Sequence, residues 1–246
     1  MALPAAAALL LVLMPWRPTL ALLGAIGLAA ALVILAVTPR YAAVKAGAWG
    51  EAATGQARGG FPILLSIGVI DSATRMGFLT FLPFLLTAKG ASLPTIGLAL
   101  TLVFVGGAAG KLVCGLLAER VGILRTVILT EIATGLAILA VVASPLALAM
   151  VLLMPLGVAL NGTSSVLYGT VAEFVRDDRQ GRTFGLFYTL GSAAGATAPF
   201  AFGLISDLTS VPTALVLVAM LALATVPIAL ALAPHVSKAG LDAGRR

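Results

Sequence analysis

The chain has 246 residues, of which 61% are hydrophobic and 10% are charged, and its mean hydropathy is +1.13. This composition excludes a water-soluble globular protein and indicates an integral, all-α membrane protein. One cysteine and one histidine exclude a disulfide framework and any metal site built from several Cys and His ligands. The net charge of +6 does not indicate nucleic-acid binding, because the basic residues lie between the apolar runs.

Seven apolar runs meet or approach the roughly 20 residues that an α-helix needs to cross a bilayer. They are residues 19–37, 61–87, 95–118, 127–142, 145–172, 183–208 and 211–233. Residues 2–14 are too short to cross and lack the basic segment of a signal peptide, so we interpret them as the end of a truncated helix. The sequence therefore predicts four parts. Residues 1–37 contain a partial helix and one complete helix, residues 38–60 form a Gly- and Ala-rich linker, residues 61–234 form a six-helix bundle, and residues 235–246 form a tail.

The basic residues between the runs predict the orientation of the chain. Eleven lie on one side: Arg40, Lys45, Arg58, Arg120, Arg125, Arg176, Arg179, Arg182, Lys238, Arg245 and Arg246. Only Arg17 and Lys89 lie on the other side. Because cytoplasmic loops carry the excess of Lys and Arg, we expect the linker and the C-terminal tail to be cytoplasmic, in a bacterial inner membrane.

A charged motif separates the third and fourth runs, which we expect to form antiparallel helices joined by a short loop. It reads Gly115-Leu-Leu-Ala-Glu119-Arg120-Val-Gly122-Ile-Leu-Arg125. The glycines permit close helix approach and a tight reversal, Glu119 can cap or form a salt bridge, and the two arginines can anchor the loop at the cytoplasmic surface. The motif resembles the second-half signature loop of the major facilitator superfamily, G-x-x-x-[DE]-[RK]-x-G-[RK]-[RK]. Ile123 and Leu124 depart from that pattern.

Two short repeats agree with this resemblance. The segment Gly115-Leu-Leu-Ala-Glu119 returns three runs later as Gly203-Leu-Ile-Ser-Asp207, and Arg17-Pro-Thr-Leu is matched by Val211-Pro-Thr-Ala. A three-helix unit repeated in inverted topology places the first pair on opposite membrane sides, as in each half of these transporters. The second pair predicts that 19–37 corresponds to 211–233.

The resemblance implies that the chain holds the end of helix five and helices six to twelve of such a transporter, and we expect a truncated reading frame. It implies a secondary carrier that moves a small solute by alternating access, coupled to protons as an antiporter or uptake system, with no cofactor. The helix-eight and helix-eleven glycine patterns resemble those of drug-efflux members, including the fosmidomycin-resistance type. The partners we expect are the substrate, the lipid bilayer and protons.

Asp71 and Arg75 are the first candidates for the substrate and ion pathway. A charge inside a membrane costs roughly 2.5–3.5 kcal/mol, so each intramembrane charge is a functional candidate. The two residues lie four positions apart, on one face of a helix and near the bilayer midplane. Two readings stay open: a self-neutralising pair that lets the helix insert, or a pair that faces a central cavity and binds an anionic group or protons.

Further polar residues lie in other predicted helices. Lys111 and Glu131 either form a salt bridge at the inner gate or Lys111 extends alone to the membrane surface. The cluster Asn161, Thr163 and Ser164, together with Tyr168 and Tyr188, either bonds neighbouring helices or lines the pathway. We predict that Glu119 and Arg120 form a conformational latch within the signature loop.

Small residues predict how the helices pack and bend. Gly106, Gly107, Gly110, Gly191 and Gly195 indicate close helix contacts, and Cys114 indicates a small packing residue. Pro199 with Gly203 predicts a bend in helix eleven.

Two other classes of function stay in view. A non-transporting membrane scaffold or assembly subunit is the alternative, since the first half of a transporter is missing from this chain. An enzyme is disfavoured, because no nucleophile has a nearby histidine and no phosphate-binding loop follows a strand.

The predicted orientation is tested by reporter fusions after Arg58 and after Lys238. Because eleven basic residues lie on that side, we expect both fusion points to be cytoplasmic. A reporter that is active only in the periplasm should therefore be silent at both points. Periplasmic activity at either point would reverse the assignment.

Overall fold

The computed structural model describes residues 3–37, 60–171 and 180–243. Those residues form eight α-helices and no strand, which confirms the all-α class. The helices are α1 (Leu3–Leu13), α2 (Trp16–Val37), α3 (Phe61–Ala88), α4 (Leu93–Val121), α5 (Ile123–Ala143), α6 (Leu146–Val171), α7 (Gln180–Leu208) and α8 (Val211–Ala243). The predicted linker lies outside the described residues apart from residue 60, and only the backbone of the tail is described, to residue 243.

Six of these helices are long and apolar enough to cross a membrane: α2, α3, α4, α5, α6 and residues 211–234 of α8. The predicted run 183–208 forms α7, which has 29 residues but is less apolar than the six. It packs against α3 and α8, so it belongs to the same bundle. Its weaker hydropathy follows from its many Gly, Ser and Thr residues.

The turns between helices are short and explain where the helices end. At the α3–α4 turn, Gly90 has a φ of +85°, which glycine adopts without steric cost. Lys89 in this turn donates from Nζ to the carbonyl oxygens of Val142, at 2.9 Å, and Ser144. The ammonium group thereby satisfies free carbonyls at the C-terminal end of α5.

The predicted charged loop between α4 and α5 is wrong in its extent. A single residue, Gly122 with a φ of +87°, separates the two helices, and Glu119 and Arg120 belong to the last turn of α4. Gly122 precedes α5 without a side-chain cap. The helix continues because its backbone gains hydrogen bonds, while charged side chains at its end still reach water.

Glycines bring α4 and α6 into backbone contact, as predicted. A Cβ added to Gly106 would meet the carbonyl of Met154, and one added to Gly110 would lie 2.9 Å from the Cα of Val158. Cys114 is buried against Gly162, which confirms it as a small packing residue. Without side chains between them, the helices gain van der Waals contact that lipid cannot match.

The contacts between α3–α5 and α6–α8 show the predicted inverted repeat. In the repeat, α3 corresponds to α6, α4 to α7 and α5 to α8. The α4–α6 contact then corresponds to the α3–α7 contact, and the α5–α6 contact corresponds to the α3–α8 contact. All four contacts are observed. Two matching contacts define which residues of the two units correspond. Gly107 of α4 packs against Asn161 of α6, and Gly195 of α7 packs against Met76 of α3. Along the chain, Gly107 and Gly195 are separated by the same number of residues as Gly115 and Gly203 of the sequence repeat. Since each unit has three helices, the second unit runs inverted.

The first two helices lie beside this bundle. The α1 helix packs on α4, where Gly97 contacts Ala8 and the backbone N–H of Ala5 donates to Thr101 Oγ1 at 3.2 Å. In α2 only Thr19 is buried. The predicted match of 19–37 to 211–233 stays a prediction.

Buried apolar residues form two clusters, separated by a polar layer. One cluster includes Phe78, Ile138 and Leu156, and the other includes Ile67, Val127 and Leu167. Between them, at mid-helix, lie the buried or half-buried residues of what we call the polar layer: Asp71, Ser72, Thr74, Arg75, Thr130, Glu131, Thr134, Thr163, Ser164 and Thr225. Among the described side chains, the buried carboxyl groups and the half-buried guanidinium of Arg75 therefore lie at one depth.

The glycine contacts predict a position-specific loss of stability. Gly110→Ala should lower the free energy of unfolding by about 1–3 kcal/mol, because the new methyl group collides with backbone of α6 rather than with a movable side chain. Gly115→Ala on the same helix is the control, since nothing lies within 4 Å of an added Cβ there. Thermal unfolding in detergent should separate the two variants. Equal midpoints would refute the packing role.

Candidate functional site

The polar layer centres on three side chains from two helices. Asp71 and Arg75 lie one turn apart on α3, and Ser164 reaches them from α6. The helical spacing places the two charged residues on one face, as predicted. The glycine-rich side of α6 packs against α4, which leaves Ser164 facing α3.

Ser164 bridges the two charged groups. Arg75 Nη1 donates to Ser164 Oγ at 2.9 Å, and Ser164 Oγ donates to Asp71 Oδ2 at 3.2 Å. Arg75 Nη2 also donates to Ser72 Oγ at 3.4 Å. The carboxylate and the guanidinium are therefore linked through a hydroxyl group. All three residues were candidates from the sequence, but the bridge between them was not predicted. The bridge depends on how α3 and α6 are aligned with each other, and this alignment cannot be read from the sequence.

The two charges differ in how far they are exposed. Asp71 is 4% exposed, whereas Arg75 is half-buried. The carboxylate is thus buried and hydrogen-bonded to Ser164, whereas part of the Arg75 side chain is exposed.

Glu131 brings a second carboxyl group into the polar layer. It is 2% exposed on α5, near Asp71 and the hydroxyl of Thr225 on α8. Among the described side chains no ion pair joins it to Lys111, which is exposed on α4, so the predicted salt bridge does not form. The reason is packing, since α5 lies mainly against α6 and α8 and turns Glu131 inward.

Two other members of the predicted α6 cluster serve their own helix. Thr163 is buried and donates to the carbonyl of Ala159 at 3.1 Å. Asn161 donates to the carbonyl of Gly157 at 3.3 Å and packs against Gly107 of α4. Neither hydrogen bond reaches a neighbouring helix, and only the packing of Asn161 on Gly107 joins α6 to α4. A role for either residue in the pathway stays a prediction.

The two predicted tyrosines form an aromatic stack next to Arg75. The rings of Tyr168 on α6 and Tyr188 on α7 are parallel within 6°, with centroids 4.5 Å apart. Phe187 packs edge-on against Tyr168 at 5.5 Å and fills the space above Gly68 of α3. Arg75 lies beside Tyr168. The stack therefore joins α6 to α7 beside the second apolar cluster, next to the polar layer.

The signature-motif residues lie apart from this site. Gly115, Glu119, Arg120, Gly122 and Arg125 are exposed where α4 ends and α5 begins. They surround the connection between two helices rather than the polar layer. Their predicted role as an inner gate stays a prediction.

The comparison with family models agrees with this architecture. The model of the Major Facilitator Superfamily matches residues 64–245, from the start of α3 past the end of α8. The match covers the inverted repeat and most of the chain. No curated protein matches the chain.

The Ser164 bridge predicts a specific cost of removing its hydroxyl group. Ser164→Ala should destabilise the protein by about 1–3 kcal/mol, because the buried Asp71 loses its donor and Arg75 loses its acceptor. Thr163→Val is the matched control, since that hydroxyl bonds only its own helix backbone. Thermal unfolding in detergent measures both. A loss in Ser164→Ala no greater than in the control would refute the bridge.

Proposed function

The chain belongs to the Major Facilitator Superfamily, a family of membrane transporters, and we propose that its polar layer couples the movement of a small solute to protons by alternating access. One observation carries the proposal: the bridge from Arg75 through Ser164 to Asp71. It joins a group that can bind a solute to a group that can take up a proton.

The direction of the hydrogen bonds defines how this coupling works. A serine hydroxyl has one hydrogen, and Ser164 uses it toward Asp71 while accepting a hydrogen from Arg75. The ionised carboxylate then balances the guanidinium. A solute group that binds Arg75 competes for this cation, and the carboxylate that loses its partner takes a proton. Arginine remains charged throughout.

Glu131 provides a second proton acceptor inside the bundle. Its carboxyl group lies near Asp71 and is equally sealed from the surroundings of the bundle. Two neighbouring buried carboxylates repel each other when both are ionised, which favours a state in which they share one proton. A proton that leaves Asp71 therefore has an acceptor nearby.

The orientation and direction of transport extend the proposal. With the linker and the tail in the cytoplasm of a bacterial cell, the α4–α5 connection also faces the cytoplasm. Glu119 and Arg120 then lie where a latch acts on the inward-facing state. Proton antiport that drives efflux is the form of transport we propose.

A membrane scaffold is the second candidate, and the α2 helix favours it. This helix is long enough to cross the membrane, yet only Thr19 is buried. Its apolar surface is available to other membrane proteins. Transport by the purified chain in liposomes separates the two candidates, because a scaffold moves no solute.

Asp71→Asn should abolish proton-driven accumulation while substrate binding or passive exchange continues. The amide keeps the shape of the carboxyl group and can still bond Ser164, but it cannot carry a proton between the two sides. Uptake into proteoliposomes with and without an imposed pH gradient measures the two activities. Asp207→Asn, at the exposed end of α7, is the control and should leave both unchanged.

The double variant Asp71→Asn with Arg75→Gln distinguishes coupling from charge balance. If the pair only neutralises itself for insertion, Asp71→Asn mainly lowers expression, and the double variant regains both expression and driven transport. Recovery of driven transport would therefore refute the coupling role.

A further inference from the structure

We propose that the solute bound at this site is a planar anion, with its negative group on Arg75 and its flat part on the ring of Tyr188. The proposal rests on the proposed transport function and names the substrate class of the same site. The supporting observations are the position of the positive charge, the sealing of the negative charges and the open face of the aromatic stack.

Arg75 is the basic group that a solute meets inside the bundle. The described basic side chains are Arg17, Arg75, Lys89, Lys111, Arg120, Arg125 and Arg182. Among them only Arg75 belongs to the polar layer, since Lys89 binds carbonyls at the end of α5 and the other five are exposed. The attraction for a charged solute is thus concentrated at one guanidinium.

The carboxyl groups of the polar layer are less accessible than this guanidinium. Asp71 and Glu131 are 4% and 2% exposed, whereas Arg75 is half-buried. Asp71 is buried and already accepts a hydrogen bond from Ser164, whereas part of Arg75 is exposed. The arrangement therefore favours an anion over a cation.

The guanidinium keeps donors for such a solute. Arginine has five N–H donors, and the contacts of Arg75 with Ser164, Ser72 and Tyr168 leave part of this capacity unused. A carboxylate or a similar planar oxyanion binds a guanidinium through two parallel hydrogen bonds. Bidentate binding would hold the anion in the plane of the Arg75 head group.

The aromatic stack provides a surface for a flat group. The α6 and α7 helices both pack on α3, and the rings of Tyr168 on α6 and Tyr188 on α7 stack on each other. Tyr168 covers one face of Tyr188, yet Tyr188 remains 52% exposed. The buried Phe187 holds the stack in place. A second flat ring can therefore extend the stack on the open side of Tyr188.

Equilibrium binding to the purified full chain in detergent tests this class without any proton gradient. Isothermal titration compares 2-naphthoate with decahydro-2-naphthoate, which has the same carboxylate on a saturated frame. We expect 2-naphthoate to bind about fivefold more tightly, because only the planar ring stacks. Tyr188→Leu should remove this difference, whereas Phe200→Leu, an exposed aromatic at another position on α7, should retain it.

Arg75→Gln should weaken the binding of both carboxylates about tenfold or more, and Arg75→Lys should recover part of it. Because Arg75 lies inside the bundle, thermal unfolding must show that each variant is folded. The exposed Tyr188 provides an independent test if the Arg75 variants fail to fold. Equal affinity of the wild-type chain for the two carboxylates, or binding of neither, would overturn the proposal.

The cation (2-naphthylmethyl)trimethylammonium tests the opposite charge. Tighter binding of this cation than of 2-naphthoate, lost in Asp71→Asn, would assign a cationic substrate and overturn the proposal. These results are separate from those on coupling. Binding of 2-naphthoate without driven transport would refute proton coupling alone, and driven transport of another solute without naphthoate binding would refute the planar anion alone.

Discussion

The rest of the bundle depends on how the charges of Asp71 and Arg75 are matched inside the membrane. An isolated charge at that depth is costly, and two charges on one helix reduce this cost only if their hydrogen-bonding groups are also satisfied. Ser164 provides that match from a second helix. The bundle therefore has to present this face of α6 to α3, at the depth where Ser164 meets the two charged groups.

Glycine packing on the other side of α6 makes the bridge geometrically possible. Gly106 and Gly110 bring the α4 backbone against α6, and Gly157 lets α6 approach α4 in return. A side chain at any of these positions would meet the backbone of the facing helix and push α4 and α6 apart. Non-directional packing of α4 on α6 thus helps to position the directional hydrogen bonds of Ser164, several residues away.

The apolar runs were sufficient to predict the helices, because the bilayer requires long apolar segments whatever their partners are. The sequence also identified the residues of the bridge, since intramembrane polar groups are rare. It did not predict which of them meet, because the rotation of each helix depends on its neighbours. Lys111 and Glu131 illustrate this: a salt bridge between them was one of two predicted alternatives, yet Lys111 is exposed and Glu131 is buried, because their helices turn them in different directions.

Comparing the two units of the inverted repeat distinguishes the residues that make the shared helix contacts from the charged residues that occur in one unit. The register that pairs Met76 with Asn161 also places Leu156 and Leu160 where the first unit has Asp71 and Arg75. Both leucines are fully buried in an apolar cluster. The two units therefore share their helix contacts but not their charges. Since packing alone is satisfied by leucine at those positions, the Asp71–Arg75 pair is not required by the helix contacts that the two units share.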